Sequence, residues 1–266
     1  VVAVFAELSP RAKEYVETGK VVVPVSDRGS LDWIVSKVAG FVREQVGASE
    51  TDDLALLNGV HRHVDGDRLN EFRVAIIEAL GREPDFRRRY YSLAREAIEE
   101  IAGTEIAMQK RVNLSIQMPG DASSLLPVHA DTWSGDSPYE VVVWLPLVDC
   151  HGTKSMYFLP GDAGRLAELN ESLFDGRSSS ADALFDRIKD DVQWLEVRHG
   201  EVLLFDQSLP HGNVVNGTDE TRWSMNCRFK GVFTPYGDKK LGEFFEPVAL
   251  RPCSIRGMSY RLPRIG

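Results

Sequence analysis

The chain has 266 residues, 43% of them hydrophobic and 27% charged, a globular balance that excludes disorder as the main state. A net charge of −9 argues against nucleic acid and against an anionic membrane surface as partners, because both reward basic faces. No apolar run approaches the ~20 residues that a bilayer-spanning helix needs. At this length we expect a single elaborated domain over 1–266: a helical cover over 1–107, a β core over 108–233 and a C-terminal extension over 234–266. The apolar opening Val1–Phe5 has no basic stretch before it and no small-residue cleavage pattern after it, so it reads as an edge strand and not as a signal peptide.

The first hundred residues carry helical punctuation. Ser9 and Pro10 open a first helix, which Gly19 closes. Ser30 is the expected cap of a second, in which Leu31, Ile34, Val35, Val38, Val42 and Val46 recur at helical spacing up to Gly47. A third runs from about Arg68 to Leu80 with Phe72, Ile76 and Leu80 on one face. A fourth follows Pro84 and ends at Gly103, its face carrying Phe86, Tyr90, Leu93 and Ile98.

From about Met108 the segments become short, β-branched and alternating. Eight strands are expected, at 108–118, 126–132, 140–147, 154–159, 192–197, 201–206, 209–215 and 222–233. Short strands in this number after a helical cover predict a mainly β fold of jelly-roll type. Residues 161–190 interrupt the pattern with Leu166, Leu169, Leu173, Leu184, Ile188 and a serine run at 178–180, which reads as a helical insert and a plausible lid.

The chemistry sits on these strands. His129 and Asp131 are two apart, and on a strand such residues project from one face, so an imidazole and a carboxylate can reach one metal ion. His211, beyond the buried run Glu201–Asp206, is the best third ligand. Two histidines and a carboxylate form a facial triad that leaves the opposite side of the metal open, the arrangement of non-haem Fe(II) oxygenases. Arg222 follows eleven residues after His211. On the last strand Arg222, Ser224, Asn226 and Arg228 alternate with Trp223, Met225, Cys227 and Phe229, giving one polar and one apolar face. An arginine fork with a serine beside it can anchor a carboxylate whose other end chelates the metal.

With these residues in place the sequence resembles the Fe(II)/2-oxoglutarate-dependent oxygenases, specifically the phytanoyl-CoA hydroxylase-like group. The resemblance spans roughly Met108 to Gly231. It rests on the H-x-D at His129–Asp131, on Trp144–Asp149, Phe158–Gly161 and Gly200–Asp206, on His211–Asn213 with Asn216, and on Arg222–Ser224. It extends to oxygenases of bacterial carbohydrate and aminoglycoside biosynthesis. The resemblance implies a double-stranded β-helix core, iron held by His129, Asp131 and His211, and 2-oxoglutarate anchored by Arg222, with Ser224, Asn213 and Trp144 as further cosubstrate contacts. It implies O2 as the oxidant and hydroxylation with release of succinate and CO2. Asp131 argues against halogenation, which needs a small residue there. Desaturation, epimerisation and ring closure use the same ligands. The chain departs from the family at Cys150–Lys154, where an Asn-Gly turn is usual, so Lys154 or Tyr157 is expected to bring different groups to the site. Polar Asn113, Gln117, Asn226 and Arg228, with Trp133, are the expected substrate contacts. They suit a small hydroxyl-rich or amino-bearing molecule.

Other readings have their own residues. A cupin-type metal enzyme would use the same jelly roll without 2-oxoglutarate, and a non-catalytic β-helix protein would have the fold without turnover; Arg222 discriminates against both. His61, His63 and Asp65 match part of a metallo-β-lactamase motif, but Gly66 stands where a histidine is required, so they read as a polar loop. His199 is expected to face solvent in a turn. Cys150, Cys227 and Cys253 are odd in number and far apart, which fits a reducing cytoplasm better than a disulfide framework, with Cys227 buried and inert. Oligomeric state is left open.

Overall fold

A computed structural model describes residues 7–160 and 181–262. The opening run expected as an edge strand and the 161–180 part of the expected lid lie outside the described residues.

Ser9 caps the first helix, α1 (Pro10–Thr18), by accepting from Ala12 N at 3.2 Å, and Gly19 ends it in a left-handed conformation with φ 72°. The chain then enters β1 (Lys20–Pro24), a strand the sequence pattern did not suggest. The next helix, α2 (Arg28–Val46), is capped by Asp27 and not by Ser30. Asp27 accepts from Ser30 N at 2.9 Å and from the Ser30 hydroxyl at 2.7 Å, so the expected cap is a first-turn donor. A short α3 (Asp53–Asn58) precedes α4 (Leu69–Gly81). The expected helix after Pro84 is two helices, α5 (Phe86–Ser92) and α6 (Arg95–Ala102). They part where Ser26 takes the Leu93 carbonyl through its N–H at 2.9 Å and its hydroxyl at 3.0 Å, diverting an acceptor from the helix ladder.

The expected strand at 108–118 is also two, β2 (Ile106–Gln109) and β3 (Asn113–Gln117). Then follow β4 (Glu140–Pro146), β5 (Tyr157–Phe158), the helix α7 (Ala181–Ile188), β6 (Gln193–Trp194), β7 (Glu201–Asp206), β8 (His211–Gly212) and β9 (Arg222–Gly231). The chain closes with β10 (Phe245–Ala249) and α8 (Pro252–Met258). The strands form two antiparallel sheets. The larger runs β1-β7-β4-β9-β2-β10, with β3 continuing beside β9 where β2 leaves it; the smaller runs β6-β5-β8. The expected strand over 126–132 is reduced to a single bridge between His129 and His211, which adds to the edge of the small sheet.

The large sheet has two different faces. Toward the helices, Val141, Val143 and Leu145 of β4, Val202 and Leu204 of β7 and the apolar residues of β9 join α2, α4 and α6 in one core that includes Ile34, Val38, Val42, Ile76 and Ile98. Trp223 anchors it, fully buried, with its indole N–H donating to Leu57 O at 2.8 Å and Phe72 edge-on at 6.3 Å between centroids. Toward the small sheet, Val142, Trp144, Leu203 and Phe205 meet Met156, Phe158 and Leu195 in a second, smaller cluster. A third gathers Leu184 and Ile188 of α7 with Val128, Tyr157 and Leu159. Among the described residues no helix is long and apolar enough to cross a membrane.

Candidate metal centre and its anion pocket

A cavity of about 190 Å³ opens between the two sheets. His129, Asp131, His211, Trp144, Asn213, Arg222, Ser224, Asn113, Asn226 and Arg228 all line it, together with Ser115, Met156 and Phe205.

Ladder bonds bring the two histidines together. His129 N donates to His211 O at 2.9 Å and His211 N to His129 O at 2.8 Å, which sets the rings 4.3 Å apart between centroids. Each ring is oriented by a carbonyl two residues before it: His129 Nδ1 lies 2.8 Å from Pro127 O and His211 Nδ1 lies 2.9 Å from Leu209 O. That bond fixes the proton on Nδ1 and turns Nε2, with its lone pair, to the cavity. Asp131 does not continue a strand, as the two-residue spacing predicted. It opens a 3-10 turn over Asp131–Ser134, and its Oδ1 lies 3.8 Å from His129 Nε2. One ligand atom from each of the three residues lies within 4.8 Å of the others, and no other such group of His, Cys, Asp or Glu occurs among the described residues. Burial, reinforced by the neighbouring His129, lowers the pKa of His211, so its imidazole is neutral and available as a ligand at neutral pH. Two Nε2 atoms and a carboxylate converging on one side suit a divalent transition metal.

Across the cavity Arg222 is 3% exposed. It donates from Nη1 to Ser155 O at 2.8 Å and from Nη2 to Ser115 Oγ at 3.1 Å, while among the described residues its Nε has no partner. Burial lowers its pKa, and among the described residues no carboxylate forms an ion pair with it. A buried guanidinium with neutral partners and an orphaned donor is costly unless an anion completes it. Ser155 Oγ is likewise buried without a partner. The cavity is therefore lined both by a cluster of potential metal ligands and by a buried arginine that lacks a carboxylate partner among the described residues.

Several expected contacts have other duties. Gln117 does not line the cavity: it is fully buried and donates to Val214 O at 2.6 Å. Trp133 packs with Val128, Tyr157, Leu184 and Ile188, away from the cavity lining. The Asn213 amide holds the 124–126 segment, accepting from Leu126 N at 2.5 Å and donating to Ser124 O at 3.3 Å. Lys154 turns from the site to Asn58 Oδ1 at 2.7 Å and Glu220 Oε2 at 2.5 Å, and Tyr157 packs on Phe185 and Trp194. Gly212 permits that packing, since a Cβ there would stand 2.5 Å from the Tyr157 hydroxyl. His199 is half-buried, not solvent-facing, with Nδ1 3.1 Å from Leu147 O. His61 sits in a 3-10 turn and meets Thr221 Oγ1 at 2.9 Å. Cys227 is buried, its thiol pushed up to about 12 by burial. Sequence reasoning passed over Ser115, although it shares the alternation of Asn113 and Gln117. It also passed over Ser155, whose contribution is a main-chain carbonyl that no side-chain pattern reveals.

No protein-family model matches the sequence, and no curated protein matches it. Among solved structures, the non-heme alpha-ketoglutarate-dependent carbocyclase SnoK from nogalamycin biosynthesis aligns with a TM-score of 0.57 at 15% identity, over 91% of this chain and 97% of that one. EctD from S. alaskensis, solved with 2-oxoglutarate and 5-hydroxyectoine, aligns with a TM-score of 0.55 at 16% identity, over 89% and 80%. HygX from Streptomyces hygroscopicus, solved with nickel and 2-oxoglutarate bound, aligns with a TM-score of 0.52 at 14% identity, over 89% and 91%. The chain thus shares its fold, a mainly antiparallel jelly-roll-like sheet structure covered by helices, with non-heme 2-oxoglutarate-dependent enzymes.

Proposed function

We propose that the chain is an Fe(II)/2-oxoglutarate-dependent oxygenase that hydroxylates a small polar metabolite, sugar- or aminoglycoside-like, with release of succinate and CO2. The observation that carries this reading is the pairing of the His129–Asp131–His211 cluster with the uncompensated Arg222 across one cavity. We read the two facing sheets as a double-stranded β-helix and the whole chain as one unit. The reducing cytoplasm is the compartment that its scattered cysteines suit.

His129, Asp131 and His211 would hold Fe(II). Iron bound there with 2-oxoglutarate supplies the oxidising chemistry, drawing on O2. The chain's own part is placement. Arg222 would receive the distal carboxylate of 2-oxoglutarate, with Ser115 and Ser224 beside it in the cavity lining. Trp144, Met156 and Phe205 give the cavity an apolar wall that keeps water from the reacting centre. Asn113 donates to Asn226 Oδ1 at 2.9 Å, and the remaining acceptor and donors of this amide pair suit substrate hydroxyls.

The test is turnover. With Fe(II), 2-oxoglutarate and O2, a panel of polyhydroxylated and amino-sugar compounds is scored for succinate release and for a product one oxygen atom heavier. Coupled succinate and oxygenated product are expected for at least one member. Fe(II) binding without any consumption of 2-oxoglutarate would move the protein to the cupin-type reading.

A further inference from the structure

The carboxylate of the candidate metal centre has a cationic partner. Arg228, on the cavity face of β9, brings Nη2 to 3.2 Å from Asp131 Oδ1. Arg228 is itself held: its Nε donates to Gln207 Oε1 at 2.9 Å. Gln207 is fully buried, and its Nε2 donates in turn to Glu140 Oε2. Glu140, 2% exposed at the start of β4, also accepts from Ser137 N at 3.3 Å. Arginine has donors only, so the Gln207 amide can face it in one orientation, oxygen toward Arg228 and nitrogen toward Glu140. The relay therefore has a direction, and it runs from the sheet interior to Asp131.

We propose that Glu140, Gln207 and Arg228 form a buried brace that positions Asp131, fixing its carboxylate so that Oδ1 stays 3.8 Å from His129 Nε2 among the candidate metal ligands. This rests on the metal reading above and reassigns Arg228, which the sequence pattern placed among substrate contacts, to a positioning role. Three features support it over a chance ion pair. Gln207 does not line the cavity, yet both ends of its amide are used, each toward a charged side chain. The members come from β4, the β7–β8 connection and β9, so packing of the large sheet sets their spacing. The second carboxylate near Arg228, Asp136 at 3.7 Å from Nη2, has its own cation in Lys239 at 2.5 Å, which leaves Asp131 the nearer claim on the guanidinium. Asp131 needs such a hold because it sits at the start of a 3-10 turn and not within a strand ladder.

The test is a Co(II) titration of the metal-free protein, read by affinity and by the visible ligand-field bands, which respond to how the carboxylate binds. Gln207→Leu cuts the brace at a residue outside the cavity. Arg228→Lys keeps the charge but has one nitrogen where two directions must be served. Thermal melts of the metal-free forms check that each variant folds, and either variant alone suffices. The expected result is Co(II) affinity lowered about tenfold, the lower end for outer partners of metal ligands, with ligand-field bands shifted in position and intensity in both variants. Wild-type affinity and superimposable spectra in a folded variant would overturn the brace while leaving the metal centre intact. Failure of the wild-type chain itself to take up Co(II) would overturn the metal reading, and the brace with it.

Discussion

On one face of β9, Trp223, Met225, Cys227 and Phe229 are each at most 1% exposed and enter the apolar core beneath the helices. On the other face, Arg222 and Ser224 are nearly as buried, at 3% and 2%, and they line a cavity with Asn226 and Arg228. Burial alone does not separate the two faces. What separates them is satisfaction. The single polar atom of the helix face with a strong need, the Trp223 indole N–H, has its acceptor in Leu57 O. Among the described residues the cavity face keeps an arginine without a carboxylate and an Nε without any acceptor. A protein tolerates such a group where a ligand completes it, so the unsatisfied face is where function is sought and the satisfied face is where stability resides.

Substitutions on each face test the difference. The largest effect is expected at the ligand cluster: His129→Ala and His211→Ala should each lose Fe(II) binding by more than the roughly hundredfold that outer partners of a metal ligand carry. Anaerobic equilibrium dialysis measures this, and wild-type affinity in either variant would break the assignment. Next, Trp223→Ala on the helix face should cost about 3–5 kcal/mol of stability, seen as a shifted midpoint in denaturant melts. A folded remnant of that variant should still take up metal. Arg222→Met on the opposite face should do the reverse. It should cost 2-oxoglutarate at least ~30-fold in affinity, corresponding to about 2 kcal/mol for a lost buried charge pair. The melting temperature of the metal-free protein should stay unchanged or rise, because an uncompensated buried charge is replaced by an apolar side chain. A fall in stability without loss of 2-oxoglutarate would place Arg222 with the structural face. The smallest effect belongs to neither face: Asp32→Ala removes an exposed partner of Arg28 and should change stability by no more than about 0.5 kcal/mol in the same melts.

How much of this was legible in the sequence follows the range of the interactions. The β9 alternation and the run Glu201–Asp206 are local patterns, and both elements are where the periodicity placed them. The His129, Asp131 and His211 set is brought together, though by a different local geometry: a single ladder bridge and a 3-10 turn take the place of a continuous strand. Less was legible where a partner far along the chain decides the outcome. The strand Lys20–Pro24 exists because Val21 to Val23 pair with Val202 to Leu204, some 180 positions away. The break between α5 and α6 comes from Ser26 claiming the Leu93 carbonyl, and no glycine or proline marks it. The cap at Asp27 was masked by Ser30, an equally good cap type three residues later that serves instead as its donor. The Glu140–Gln207–Arg228 relay joins three distant segments and has no motif. In the site, Gln117 and Trp133 failed as cavity residues because polarity and aromatic character report what a side chain can do, not which way a loop or strand end turns it.

In the proposed reading one cavity joins a metal seat to an anion seat. An anaerobic titration of the metal-free protein with Fe(II) and then 2-oxoglutarate tests it most directly, read by the weak visible charge-transfer band of the chelate. The band should appear in the wild-type chain, fail to form in His129→Ala, and require far higher 2-oxoglutarate in Arg222→Met. Fe(II) uptake with no band at any 2-oxoglutarate concentration in the wild-type chain would contradict the claim.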